Sequence, residues 1–221
     1  MKLYAISGLG ADQRVFQYLT LHCEFIPIDW IAPEKNEPIE HYALRLSEVI
    51  DKSGPFGILG VSFGGLVATE MSKHLKPAIT ILISSAETRD ELAGFYRLAG
   101  NINLLRFIPR QLFRPPMPLI NWLFGTKKKE LLKKIIRDTD LGFAKWAVQE
   151  LIRWKNREKL AHCLKISGTK DRVMPPTKSD NTVLIPGGTH FMIVDRAREI
   201  SDLINEKIHL ITDKRPKTLK H

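Results

Sequence analysis

A serine between two glycines, Gly60-Val61-Ser62-Phe63-Gly64, is the feature that most restricts how this chain can fold. A short apolar run precedes it and a helical pattern follows it, so the serine is expected on a tight turn from a strand into a helix. Side chains two residues before and after the serine would collide across such a turn, and glycine at both places removes the collision. The following helix would direct its N-terminal N–H groups at the serine. The pentapeptide therefore indicates a nucleophile, with a glycine-rich structural turn as the alternative.

Short apolar runs alternate with helical patterns through residues 1–87, which predicts a mostly parallel sheet with helices on both faces. The four predicted strands are Leu3 to Ile6, Phe25 to Trp30, Phe56 to Gly60 and Ala78 to Ser85. Apolar residues at helical spacing run from Ile39 to Ile50 behind Pro38, and a second helix is expected from Leu66 to Leu75. The first part of the chain is thus typical of an α/β domain.

The alternation stops after residue 87 and returns at residue 159. Residues 88–158 contain no strand pattern, and their apolar residues recur at helical spacing. Strands are predicted again at Cys163 to Ser167 and Thr182 to Ile185, followed by one final helix with Ile193, Ala197, Ile200 and Ile204 on one face. We therefore predict an α/β core of residues 1–87 and 159–221, interrupted by a helical cap at residues 88–158.

A serine nucleophile needs a base, and the base needs an acid that orients it. Asp171 lies in the loop Gly168-Thr169-Lys170-Asp171 and His190 in the loop Pro186-Gly187-Gly188-Thr189-His190. Each loop follows a predicted strand, at the sheet edge where parallel sheets place their sites. The alternatives are a solvent-exposed loop histidine and an exposed ion pair of Asp171 with Arg172.

Acyl transfer also requires donors for the developing oxyanion. The backbone N–H of Phe63, directly after the serine, is one candidate, and that of Leu9 in the loop after the first strand is the other. The same loop partly imitates a dinucleotide-binding fingerprint, with Gly8, Gly10 and an acidic Asp29. The third glycine of that fingerprint is absent, so nucleotide binding is the weaker interpretation.

These motifs resemble the α/β-hydrolase fold family, in its smaller, single-domain esterase-like branch. The resemblance covers most of the chain and rests on Ser7-Gly8-Leu9-Gly10, Gly60 to Gly64, Gly168 to Asp171 and Gly188 to His190. It implies Ser62 as nucleophile, His190 as base, Asp171 as orienting acid, and no metal or organic cofactor. Where the family often has His-Gly in its oxyanion loop, this chain has Ser7-Gly8. The fold hosts esterases, thioesterases and carbon–carbon hydrolases, so the resemblance leaves the subclass open.

The predicted cap is rich in aromatic residues: Phe95, Phe107, Phe113, Trp122, Phe124, Phe143, Trp146 and Trp154. They either wall an apolar acyl pocket or form the cap's own core. We expect a serine hydrolase that cleaves an apolar carboxylic ester or thioester. A non-catalytic ligand binder on the same scaffold and a protein that acts at a membrane surface are the alternatives.

The positive charge is concentrated in two segments. The chain carries a net charge of +10, but residues 88–158 hold 15 Lys plus Arg against 7 Asp plus Glu, and residues 213–221 hold 4 against 1. A nearly neutral core argues against nucleic-acid binding. A solvated cap face is the simplest explanation, and attraction of an anionic substrate, an acyl carrier or a lipid surface is the next.

Cysteine content and hydropathy bear on metal binding and location. Cys23 and Cys163 lie far apart without ligand spacing, so neither a disulfide framework nor a cysteine zinc site is expected. The longest apolar runs fall far below the roughly 20 residues that a membrane-spanning helix needs. The N-terminus lacks the apolar core of a signal peptide, so a cytoplasmic location is expected. The sequence makes no prediction of the oligomeric state.

Overall fold

The computed structural model of the protein describes residues 1–94, 96, 109–113, 115–177, 179 and 181–213. Its centre is a six-stranded sheet in which every neighbouring pair of strands is parallel, in the order β2-β1-β3-β4-β5-β6. The strands are β1 (Lys2–Ile6), β2 (Glu24–Ile28), β3 (Phe56–Val61), β4 (Ile79–Ile83), β5 (Cys163–Gly168) and β6 (Thr182–Ile185). The predicted α/β class with a parallel sheet is confirmed.

The two central strands, β3 and β4, are buried along their whole length. β3 has no polar side chain and β4 has only Thr80, as expected of strands that are covered on both faces of a parallel sheet. The register pairs Ile6 with Gly60 and Val61 with Ile83, so β1, β3 and β4 end at the same edge. The loop after β1 and the turn at Ser62 therefore begin side by side.

Helices pack on the sheet and make up much of residues 88–158 where the structure describes them. They are α1 (Ile39–Leu46), α2 (Phe63–Leu75), α3 (Met117–Phe124), α4 (Lys129–Asp138), α5 (Leu141–Arg153), α6 (Met192–Asp195) and α7 (Ala197–Asp213). Short 3₁₀ helices lie at Gln13–Phe16, Ser47–Val49, Arg89–Glu91 and Arg110–Phe113. Because α2 begins at Phe63, the chain turns from strand to helix within a single residue, Ser62.

The prediction of one continuous final helix is wrong at Arg196. The backbone of this residue leaves the helical region, with φ −125° and ψ 29°, and separates α6 from α7. Its guanidinium donates a hydrogen bond to the Pro186 carbonyl oxygen at 3.0 Å. Ile193 and Ile200, one on each side of the break, are both buried. The apolar spacing therefore identified the buried face but did not reveal the break.

The described part of residues 88–158 is helical and contains no strand. Its aromatic residues do not form a separate core. Phe143 on α5 lies 4.9 Å from Trp30 between ring centroids, and Trp146 lies 4.4 Å from Tyr42 and 5.7 Å from Phe63. They pack against the α/β core instead. The domain limits at 87 and 158 remain a prediction.

Three features of the sequence prediction lie outside the described residues: Phe95, Phe107 and the basic tail beyond Asp213. Among the residues that the structure does describe, no helix combines the length and the hydropathy needed to cross a membrane.

Candidate active site

Ser62 occupies a strained backbone position between β3 and α2. Its φ of 52° and ψ of −123° are rare for a residue with a side chain and cost on the order of 1–3 kcal/mol. Hydrogen bonds hold both sides of the residue: its N–H donates to Ile83 O at 3.0 Å, and its carbonyl oxygen accepts from Gly65 N at 2.9 Å and from Ser85 Oγ at 2.7 Å. The surrounding backbone thus fixes the direction of the serine side chain.

The glycines beside the serine are required by close backbone contacts. A Cβ atom on Gly60 would overlap the carbonyl oxygen of Gly64, and one on Gly64 would overlap the carbonyl oxygen of Ser7. Gly65 is a further position of this kind, because a Cβ there would overlap the Ser85 hydroxyl. Gly65 was not predicted as a site residue, although two successive glycines, Gly64 and Gly65, at the start of a helix are a signal that could have identified it.

The structure brings Ser62, His190 and Asp171 into one hydrogen-bonded row. His190 Nε2 lies 2.9 Å from Ser62 Oγ, and His190 Nδ1 lies 3.0 and 2.9 Å from the two carboxylate oxygens of Asp171. Asp171 and His190 are 5% and 4% exposed, whereas Ser62 is partly exposed. The aspartate and the histidine are therefore shielded from water more fully than the serine.

Backbone contacts between two loops place the aspartate against the histidine. Lys170 N donates to Gly188 O at 2.8 Å, and a Cβ atom on Gly168 would overlap the same carbonyl oxygen. The Asp171 Oδ1 atom accepts hydrogen bonds from the backbone N–H groups of Val173 and Met174, at 2.9 and 2.8 Å. These backbone hydrogen bonds fix the orientation of the carboxylate independently of its contact with the imidazole.

Arg172 does not pair with Asp171, contrary to the alternative interpretation of this loop. Its guanidinium lies 4.7 Å from the ring centre of Trp122 on α3 and donates a hydrogen bond to the Trp122 carbonyl oxygen at 2.5 Å. The same helix reaches His190, because the ring centroid of Phe124 lies 5.1 Å from that of the imidazole, with the two rings nearly perpendicular. Helix α3 therefore contacts both the aspartate loop and the histidine.

The loop after β1 passes beside the serine. A Cβ atom on Gly8 would lie 3.3 Å from Ser62 Cβ. A hydrogen bond from Ala11 N to Gly8 O, at 2.9 Å, closes a turn with Leu9 and Gly10 at its centre, and Gly10 has a φ of +70°. Within the described residues, neither Leu9 N nor Phe63 N donates to a protein acceptor. Both predicted oxyanion donors are thus available to a ligand.

The nucleotide interpretation of this loop finds no support. The loop is followed by the four-residue 3₁₀ helix Gln13–Phe16. A dinucleotide fingerprint requires a full helix whose N-terminus faces the pyrophosphate. Asp29 is exposed beyond the end of β2.

A cavity of about 260 Å³ adjoins Ser62 and His190. Residues 88–158 line it mostly with apolar side chains, among them Ile120, Leu123, Phe124, Ile136, Val148 and Leu151, and also contribute Thr139. None of the described lining residues is Lys, Arg, Asp or Glu. Tyr96 also lines it, and burial raises the pKa of this phenol to about 12, with a further contribution from the negative charge of Asp171. The space beside the serine therefore suits an uncharged, apolar group.

One group of potential metal ligands occurs among the described residues, at Glu34, Glu37 and His41. Glu37 is already bonded by Arg45, whose Nε and Nη2 lie 2.7 and 2.8 Å from its two oxygens. These bonds lower the pKa of Glu37 to about 2. A guanidinium in contact with the carboxylate disfavours a metal cation, and the cluster is explained as an ion pair.

Comparisons with known proteins agree with this architecture. Among solved structures, an esterase from Thermogutta terrifontis is 16% identical with a TM-score of 0.68, over 96% of this chain and 90% of that one. MenH from S. aureus is 17% identical with a TM-score of 0.72, over 96% and 94%. The RedJ thioesterase from the prodiginine biosynthetic pathway in Streptomyces coelicolor is 17% identical with a TM-score of 0.65, over 92% and 89%. These likenesses show the fold.

Sequence comparison identifies the family. No curated protein matches the chain. The model of the alpha/beta hydrolase family matches residues 5–203, which is most of the sequence and confirms both the predicted family and the general class of enzyme, a hydrolase. The chain therefore belongs to the alpha/beta hydrolase family.

Proposed function

We propose that the chain is a serine hydrolase that cleaves a carboxylic ester or thioester of an apolar acyl group through an acyl-enzyme intermediate. The observation that carries the proposal is the hydrogen-bonded row Ser62–His190–Asp171 at the mouth of an uncharged cavity. A nucleophile, a base within hydrogen-bond distance of it and an acid that orients the base are the parts that this chemistry requires.

In the first half-reaction, Ser62 Oγ attacks the substrate carbonyl carbon while His190 Nε2, 2.9 Å away, takes the hydroxyl proton. Asp171 keeps the imidazole oriented through Nδ1 and balances the positive charge that forms on it. The N–H groups of Leu9 and Phe63 donate to the oxyanion of the tetrahedral intermediate. Collapse of this intermediate breaks the bond to the leaving group, and His190 returns the proton to the departing alcohol or thiol.

In the second half-reaction, water replaces the alcohol or thiol. His190 Nε2 takes a proton from the water, whose oxygen attacks the acyl-enzyme carbonyl, and the same donors stabilise the second oxyanion. Ser62 leaves with the proton from His190, and the carboxylic acid is released. The buried position of Asp171 and His190 keeps their hydrogen bond out of competition with solvent.

The cavity favours a compact acyl group. Its volume of about 260 Å³ lies just below the range of roughly 300–1,000 Å³ that is typical of pockets for drug-sized ligands. An aromatic or medium-length acyl chain fits this volume better than a long one. The absence of Lys, Arg, Asp and Glu among the described lining residues disfavours a carboxylate or phosphate inside the cavity. Ester and thioester differ only in the leaving atom and are both retained.

Labelling with a fluorophosphonate probe separates an enzyme from a non-catalytic binder. Wild type is expected to be labelled, Ser62→Ala to remain unlabelled, and the exposed Ser53→Ala to behave as wild type. A p-nitrophenyl ester series of increasing acyl length then reports the preferred substrate, with His190→Ala inactive and the exposed His209→Ala as its matched control. Equal hydrolysis by wild type and Ser62→Ala would exclude the proposed mechanism.

We propose an anionic lipid surface as a second candidate, namely as a binding partner of the enzyme. This binding would accompany catalysis and would not replace it. Helix α3 exposes 44% of Leu119 and 56% of Trp122, and three lysines, Lys127 to Lys129, follow two residues after its end. Exposed tryptophan beside basic residues is typical of helices that rest on membranes. Flotation with anionic and neutral vesicles at two salt concentrations tests this partner, and Trp122→Ala is expected to weaken binding. An acidic acyl carrier would be attracted by the same charges.

A further inference from the structure

We infer that Thr139, at the end of helix α4 in the insertion, is a positioning residue that holds the oxyanion turn Gly8–Ala11 in its active shape. The inference rests on the proposed function, because it concerns the proposed donor Leu9 N. Residues 88–158 would then influence the rate of the chemical step, through Thr139, in addition to lining the cavity.

The contact between Thr139 and the turn is direct. Thr139 Oγ1 donates a hydrogen bond to the Gly10 carbonyl oxygen at 2.8 Å. A Cβ atom on Gly10 would lie 2.6 Å from Thr139 Oγ1 and 2.7 Å from Thr139 Cγ2, so no other residue type fits against this threonine without movement. The two residues are 129 positions apart in sequence.

A second link joins the same two segments. Arg14, in the 3₁₀ helix after the turn, pairs with Asp12 through Nε and Nη2 at 2.8 and 2.6 Å. Its Nη1 atom donates to Asp138 Oδ2 at 3.0 Å, one residue before Thr139. These groups are one-third or more exposed, so solvent screens the pairs and weakens them. The hydroxyl of Thr139 is therefore expected to carry most of the connection.

The Gly8–Ala11 turn is rich in glycine and therefore needs a hydrogen bond from another segment to hold one conformation. Two of its four residues are glycines, and glycine adopts positive and negative φ with similar ease. The carbonyl of Ala11 is fixed from the other side by Ser7 Oγ at 2.8 Å and Trp30 Nε1 at 3.1 Å. In the part of the chain that the structure describes, Thr139 supplies the one hydrogen bond to Gly10 O. Without it, rotation of the Leu9–Gly10 segment would turn Leu9 N away from the oxyanion.

Thr139 has one hydroxyl proton and two acceptors within reach. Besides Gly10 O, its Oγ1 lies 3.0 Å from Ile135 O, four residues earlier in the same helix. A bond to Ile135 O alone would make the threonine a helix-end residue with no influence on catalysis. Thr212 is a matched example of that purely structural role, with Oγ1 at 3.1 Å from Ile208 O near the end of α7.

The test compares Thr139→Val, which keeps the shape and removes the proton, with Thr139→Ser, which keeps the proton. Thr212→Val controls for loss of a helix-end hydroxyl. For Thr139→Val we expect kcat on a p-nitrophenyl ester to fall by about 10- to 100-fold and KM to change by less than about twofold. We expect Thr139→Ser to stay within about threefold of wild type. Thermal unfolding of each variant verifies folding.

The inhibition constant Ki of a trifluoromethyl ketone distinguishes positioning from a purely structural role, because loss of a purely structural contact would leave Ki unchanged. The ketone forms a tetrahedral adduct with Ser62 whose oxyanion needs the same donors, so its Ki should rise in Thr139→Val by the factor that kcat/KM falls. Loss of kcat with an unchanged Ki, or no loss at all in an enzyme that depends on Ser62, would overturn the positioning role and leave the proposed function intact. Equal rates in wild type and Ser62→Ala would overturn both.

Discussion

Replacement of Asp171 by asparagine tests whether the acid works through the tautomer of His190. The backbone N–H groups of Val173 and Met174 donate to Asp171 Oδ1 at 2.9 and 2.8 Å. In Asp171→Asn the amide oxygen must take this place, since an NH₂ group there would face two donors. The NH₂ group then points at His190 Nδ1 and donates to it, so the imidazole proton moves to Nε2, 2.9 Å from Ser62 Oγ. A protonated Nε2 is unable to accept the serine proton.

The expected loss follows from that wrong tautomer. A fall of about 10⁴ in kcat corresponds to about 5.5 kcal/mol of transition-state stabilisation, at about 1.36 kcal/mol for each factor of ten. Stability should change less, because both backbone hydrogen bonds survive in Asp171→Asn. Asp171→Ala leaves the two N–H groups without an acceptor and should lose about 1–3 kcal/mol more of the free energy of unfolding.

The assay is steady-state hydrolysis of the best p-nitrophenyl ester, together with urea unfolding of wild type, Asp171→Asn and Asp171→Ala. Asp171→Asn is expected to lose nearly all activity and to keep most of the free energy of unfolding. If Asp171→Asn retained kcat within tenfold of wild type, the tautomer argument and the assignment of Asp171 as the orienting acid would both be refuted.

Three further outcomes follow from other parts of the structure. Gly64→Ala would place a Cβ on the Ser7 carbonyl oxygen and should abolish activity or folding, whereas Gly54→Ala, with open space around it, should behave as wild type in activity and thermal unfolding. The pKa of Glu37 is about 2 against an ordinary 4.5, so wild type should lose stability as pH falls through this window. Glu37→Gln should unfold at a lower urea concentration near neutral pH, and its free energy of unfolding should depend less steeply on pH than that of wild type. An equally steep pH dependence in both proteins would contradict this explanation. Burial raises the pKa of Cys163, so its thiol should react more slowly with a disulfide reagent at about pH 8 in the native protein than in urea.

The predicted site residues could be found from sequence because their positions are local properties of strand ends. Ser62, Asp171 and His190 follow β3, β5 and β6, and the carboxyl ends of parallel strands share one edge of the sheet. Each residue also carries its own turn signal in nearby glycines. Sequence order and turn chemistry were therefore sufficient to bring the three together without knowledge of the sheet order.

Contacts between distant segments left no such signal. The hydrogen bonds from Ser85 Oγ to Ser62 O and from Thr139 Oγ1 to Gly10 O join residues without a motif on either side. The aromatic spacing of Phe143 and Trp146 showed that one helix face is buried, but both a separate cap core and the α/β core would produce the same spacing. Periodicity reports that a face is covered and carries no information about which segment covers it.

Residues 88–158 contact three parts of the proposed machinery, so changes in this segment are expected to affect catalysis as well as substrate binding. Trp146 packs on Phe63, Phe124 packs nearly perpendicular to the His190 ring, and Thr139 donates to the carbonyl oxygen of Gly10. A wall that only bound the acyl group would stabilise substrate and transition state equally and would act on KM. Side chains that set the direction of the base and of the oxyanion donors act where charge develops, and their effect falls on kcat. Exchange of this insertion for that of a relative should therefore alter the rate of acyl transfer together with acyl preference.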